Sequence, residues 1–233
     1  VFYIRYGTSS IEAKGEFLDQ LRDMANRVPF DDRGNENISI DDISPLLLKD
    51  YLTKIDSRLA KANFATDIET ILDQMQLYDG PKEKRIIKNV AAMMFSEHPE
   101  KFFPTTQVDI VVFPKGREVD PENFIEVPPI KGPVPMMIRN SLEYLRTNII
   151  KERITKPTDD ERSLKVFNYP FQALEEAVVN ALYHRDYKER EPVEITIEPD
   201  RISILSYSGP DRSISLESLK EANMLRSRRY RNR

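Results

Sequence analysis

The chain has 233 residues, of which 39% are hydrophobic and 32% charged, and a formal net charge of -4. That balance suits a globular protein with a sizeable core and gives no overall attraction to nucleic acid, so such binding needs a local basic patch. With no cysteine in the sequence, disulfides, thiolate catalysis and cysteine zinc sites are excluded, and no apolar run reaches the roughly 18 residues that span a bilayer. A soluble, cytoplasmic protein without a membrane partner is expected, with two small domains favoured over one. Both ends read as cut, since VFYIRYG opens as a strand and RSRRYRNR stops without a helix cap.

In chain order, the opening strand is followed by a helical pattern over Ile11–Arg27, with Phe17, Leu18, Leu21 and Met24 on one side. Ser44-Pro45 is a helix start, because proline is tolerated at the first helical position and serine caps free N–H groups. The helix that follows is expected to bury Leu47, Leu48, Tyr51, Leu52, Ile55 and Leu59. Another helix is expected over Thr66–Tyr78, stopped by Asp79-Gly80-Pro81. These short helices suit a winged-helix-like part or a plain packing layer. Lys84–His98 reads as a helix whose Ala91–Phe95 end is apolar nearly all round.

Val108–Phe113 and Phe124–Val127 read as strands, the second ended by Pro128-Pro129. Pro133–Arg153 carries helical spacing, and the polar stretch Thr155–Arg162 is the linker candidate. Leu164–Tyr169 is a strand. Val193–Ile197 and Arg201–Leu205 alternate apolar and polar residues around Pro199-Asp200, which is a β-hairpin pattern. Ser208-Gly209-Pro210 is a turn, and Ser215 caps a last helix through Leu225. The class is therefore α+β (α/β).

The seven glycines, at 7, 15, 34, 80, 116, 132 and 209, form neither a P-loop nor a Rossmann turn. The most informative stretch is YPFQALEEAVVNALYHRDY, from Tyr169 to Tyr187. At helical spacing Leu174, Val178, Ala181 and Leu182 face a core, while Glu176, Asn180 and His184 share another line with Tyr183 and Tyr187. A carboxamide oxygen suits Mg²⁺, which keeps most of its water and phosphate ligands, and a carboxylate one turn away can take a proton from water. The competing reading leaves Glu176 solvated and Asn180 bonded to a neighbour. His184 is either a phosphate or base contact or a structural group at a helix end.

EEAVVNALYHRDY, followed by EITIEPDRISIL and SYSGP, resembles the GHKL-type ATPase-like domain of bacterial AlbA/Schlafen-type, RecG-related transcriptional regulators. FYIRYGTSSIEAKGE is similar to the closing strand and turn of their AlbA-like DNA-binding domain, and NVAAMMFSEHPEKFFPTTQVDIVVF to the segment that joins the two. The resemblance implies an AlbA-like edge over 1–40, an α+β middle domain over 41–158 and an incomplete GHKL-like helix-on-sheet sandwich over 159–233. It implies that Glu176 activates water, that Asn180 holds Mg²⁺ with ATP, and that His184, Arg185, Asp186 and Gly209 lie at the nucleotide. The family's D-x-G becomes Tyr207-Ser208-Gly209, so the adenine-reading aspartate is missing. A second glycine box is not found before Arg233, so any ATPase activity is expected to be weak.

Arg226, Arg228, Arg229 and Arg231, with Arg233 and Tyr230, form a basic cluster on an acidic chain, suited to nucleic-acid phosphates or to a solvated face. DNA, a nucleotide and further copies of the chain are the expected partners. Two functions follow: an ATP-binding, DNA-binding transcriptional regulator, or a degenerate GHKL fold serving as an oligomerisation or protein-binding scaffold.

Overall fold

Residues 3–6, 9–15, 18, 28–64, 66–155 and 164–207 are described by the computed structural model. The fold is α+β, with five α-helices among the described residues, one mixed four-stranded sheet and three two-stranded antiparallel ones. Two compact units divide the chain, Val1–Glu97 and His98–Arg233.

In the first unit, β1 (Tyr3–Tyr6) pairs antiparallel with β2 (Ser9–Glu12). The helix expected from Ile11 therefore starts too early, because Ile11 faces Ile4 across the pair. Beyond Gly15 that expectation falls outside the described residues, apart from the helical Leu18. Helix α1 (Pro45–Lys54) starts as predicted, with proline at its first position and Ser44 before it. The Ser44 hydroxyl donates to Glu97 at 3.1 Å instead of capping the helix. Leu48 and Leu52 are its buried residues. The chain turns at Asp56, which has φ 51°. Ile55 is thereby left exposed rather than buried, and Leu59 falls in a 3₁₀ turn, Arg58–Lys61.

Helix α2 (Ile68–Gln74) buries Ile71 and Leu72 and ends before Tyr78, which belongs to β3 (Tyr78–Asp79). β3 pairs with β4 (Ile86–Ile87), so the helix expected from Lys84 begins only at α3 (Asn89–Phe95). Two adjacent β-branched residues favour the strand there. Ala91, Ala92, Met93 and Phe95 are buried, as an all-round apolar helix requires. The buried Asn89 is satisfied by donating to the Phe30 carbonyl at 2.8 Å and accepting from Asn35 Nδ2 at 2.9 Å. In the segment expected to be winged-helix-like or a plain packing layer, α1, α2 and the β3–β4 pair follow one another; Glu69 and Asp73 stand exposed on α2, with Asp73 paired to Arg85 at 3.3 Å.

The second unit is built on a sheet in the order β10 (Ile202–Leu205), β9 (Val193–Ile197), β5 (Gln107–Val112), β6 (Ile125–Lys131). β5 lies parallel to β9, with Val108 beside Val193 and Ile110 beside Ile195. β9 and β10 form the predicted hairpin. β6 runs through Pro128-Pro129 instead of stopping there. β6 is an edge strand, and its two prolines lie where its register with β5 shifts between Val108 and Ile110, a bulge that spares the ladder a donor. Helices α4 (Val134–Asn148) and α5 (Phe171–His184) close the core with the sheet. Its fully buried members include Val108, Ile110, Met137, Leu145, Val178, Leu182 and Ile195.

The polar linker candidate is flanked by β7 (Glu152–Thr155) and β8 (Leu164–Phe167), which pair with each other. The expected boundary at 158/159 thus falls between two paired strands, and β5, assigned to the middle domain, pairs with β9 beyond it. Residues 156–163, which hold most of the linker candidate, lie outside the described residues. No helix among the described residues is long and apolar enough to cross a membrane.

Candidate functional site

Helix α5 begins where Pro170 supplies a preset φ of -68° at the N-cap position. Leu174, Val178, Ala181 and Leu182 recur every three to four residues and are all buried, so the predicted core stripe is present. Each large apolar side chain so buried stabilises the fold by roughly 1.5–3 kcal/mol. The helix packs beside α4 and β10, which fixes its rotation and turns Glu176, Asn180, Tyr183 and His184 outward.

Asn180 Nδ2 donates to Glu176 Oε1 at 2.9 Å. The two expected site residues are therefore brought together, one helical turn apart, on an exposed surface. His184 is exposed one turn further on, and its ring meets the Tyr183 ring edge-on, with centroids 5.0 Å apart. A continuous line of carboxylate, carboxamide and imidazole results. Among the described residues no group of three or more His, Asp or Glu side chains is placed to hold a metal ion.

The helix ends at His184, and the H-R-D-Y string that follows takes a structural course. Arg185 is only 2% exposed. Its Nη2 donates to the carbonyls of Glu191 at 2.6 Å and Glu189 at 3.2 Å, and the guanidinium lies 5.2 Å from the centre of the Tyr187 ring. Burial holds its pKa below the ordinary arginine value. Direct contact with a nucleotide, expected from the sequence, is not available to a side chain so enclosed. Asp186 Oδ1 accepts from the Lys188 N–H at 3.0 Å, and the Asp186 N–H donates to the Tyr207 carbonyl at 3.1 Å. The Tyr187 hydroxyl donates to the Leu182 carbonyl at 2.7 Å, closing the last turn of α5.

Tyr207 is the last described residue before the turn in which Gly209 was expected to meet the nucleotide. Its phenol pKa is raised, mainly by the nearby Glu194 carboxylate. Gly209 and the cluster Arg226, Arg228, Arg229 and Arg231 lie outside the described residues, as do the expected turn at Ser208 and the helix after Ser215. Sequence reading passed over Glu198, at the turn of the β9–β10 hairpin. Its carboxylate accepts from Arg201 Nε and from the Arg117 N–H, the latter at 2.9 Å. The signal available was the glutamate three residues before an arginine across a Pro-Asp turn.

No protein-family profile matches the chain, and no curated protein matches it. A solved structure, that of the DIP2311 protein from Corynebacterium diphtheriae, matches over 93% of the chain at 20% identity, with a TM-score of 0.56. The chain corresponds to 41% of that protein's length. At this identity the likeness shows the α+β fold and carries nothing about function.

Proposed function

We propose that the unit from His98 to Arg233 binds Mg-ATP through α5, and that the chain belongs to an ATP-binding, DNA-binding transcriptional regulator of the cytoplasm. The observation that supports this most is the exposed Glu176–Asn180 pair. Because Asn180 turns its Nδ2 toward Glu176, its Oδ1 is the atom left to face a cation. In that pose Asn180 holds one position of the metal and Glu176 orients a water molecule and accepts its proton. Mg²⁺, when bound with the nucleotide, supplies charge neutralisation at the phosphates. The exposed His184 extends the same line toward the ligand. The pair is half of a site. The aspartate that reads adenine in the GHKL pattern has Tyr207 in its place, so weak turnover and modest affinity fit better than an efficient ATPase.

Calorimetry with Mg-ATP tests the reading. Asn180→Ala is expected to weaken binding at least tenfold, whereas Glu176→Gln keeps binding and loses whatever hydrolysis the protein has. Absence of heat at millimolar nucleotide, or equal binding by Asn180→Ala, removes the proposal.

One observation favours a second reading. Glu176 and Asn180 bond each other, as they would on a helix kept only for packing. A degenerate GHKL fold acting as an oligomerisation or protein-binding scaffold then follows. It requires Glu176→Ala to leave stability and assembly unchanged.

A further inference from the structure

Arg185 is a buried charge that no direct role in ligand binding explains. Its side chain leaves the end of α5 and reaches two other segments. Nη2 donates to the carbonyls of Glu189 and Glu191, just before β9 starts at Val193. The same nitrogen lies 3.5 Å from Thr105 Oγ1, just before β5 starts at Gln107. One guanidinium therefore joins the helix end to the starts of the two parallel central strands. The Tyr187 ring stacks beneath it, and the Tyr187 hydroxyl holds the Leu182 carbonyl in the last turn of the helix.

The geometry is that of a clasp. Arginine suits it because a planar fork can serve two carbonyls and a ring face at once, which a lysine ammonium cannot. The clasp is also under-filled: Nε and Nη1 are buried with no hydrogen-bond partner. Retaining three unmet N–H donors on a buried charge is costly. A purely apolar side chain would avoid that cost, so the position of the helix end is the feature the arginine secures.

We propose that Arg185 is a positioning residue, which never touches the ligand and sets the last turn of α5, and through it Asn180, by locking the 185–191 segment to the starts of β5 and β9. The inference rests on the reading of Asn180 as the Mg-nucleotide residue.

The test uses the full chain and four proteins: wild type, Asn180→Ala, Arg185→Lys and the double variant. Mg-ATP affinity is measured by calorimetry, and amide hydrogen exchange is measured without ligand. Arg185→Lys is expected to weaken Mg-ATP binding about tenfold and to speed exchange of the Tyr183 and His184 amides about tenfold, while Ile110 and Ile195 keep their protection. In the Asn180→Ala background, Arg185→Lys is expected to add nothing to the loss of affinity. A further loss there means that Arg185 acts on binding by another route, and overturns the proposal. So does unchanged affinity in Arg185→Lys alone.

Should wild type bind no nucleotide, the Mg-ATP reading fails by itself. The exchange measurement then decides the clasp: unchanged Tyr183 and His184 amides overturn it, and accelerated ones sustain it. If Arg185→Lys does not fold, Tyr187→Phe replaces it. That variant keeps the ring and loses the bond to Leu182, and is expected to give the same pattern at severalfold magnitude, with no acceleration again overturning the clasp.

Discussion

Glu198 ties the loop after β5 to the β9–β10 turn, because one carboxylate accepts from Arg201 Nε and from the Arg117 N–H. Those bonds, the arginine side chain first, hold its pKa below the ordinary carboxylate value. A carboxyl group with a depressed folded-state pKa contributes stability that is fully present above its unfolded pKa. That contribution fades as pH falls through the lowered folded value, where the group becomes protonated. Glu198→Gln mimics the protonated group, so urea midpoints of wild type and variant are expected to differ at pH 7 and to converge in the acid range. A difference that does not change with pH through the acid range would show that the ionised carboxylate is not its source. Arg117 also lies over the Phe113 ring at 5.9 Å, so the loop keeps one attachment when the carboxylate is neutralised.

At the scale of elements, α5 shows what a sequence can and cannot convey. Its stripe of Leu174, Val178, Ala181 and Leu182 was readable because one-sided burial over fourteen residues leaves a regular period. The pair Glu176 and Asn180 was readable for the same reason, since spacing alone puts both on one line. Short elements carried no such record. Ile86–Ile87 is a strand only because Tyr78–Asp79 lies beside it, and two residues cannot establish a period. The β5–β9 pairing joins strands far apart in the chain, and nothing in either strand names the other. The enclosure of Arg185 leaves no mark in the sequence, because a buried guanidinium that serves backbone carbonyls looks, as a letter, like one that binds phosphate. The strength of the α5 core contact is measurable. Leu182 is fully buried, and Leu182→Ala is expected to cost about 2–5 kcal/mol in urea unfolding. A cost under about 1 kcal/mol would mean that α5 is held mainly by its ends.

For the whole molecule, the charge balance decides where nucleic acid can bind. The chain carries 35 basic and 39 acidic residues, so its mean field repels a polyanion. The exposed face of α2, with Glu69 and Asp73, offers no local exception. The contact with DNA is proposed for Arg226, Arg228, Arg229 and Arg231, which with Arg233 put five arginines within eight residues. Binding by such a patch works by displacing condensed counterions, at about 0.9 per phosphate neutralised. Two consequences are measurable in a filter assay on duplex DNA across a salt series. Wild type is expected to weaken steeply and linearly on a log–log plot. Replacing the four arginines with glutamine is expected to flatten that slope by about 3 to 4, the share of four phosphate contacts. The loss should be similar for unrelated sequences, because phosphate contacts carry no base information. A slope that survives the four substitutions would move the DNA contact away from the cluster, to a part of the surface where the local charge departs from the acidic mean.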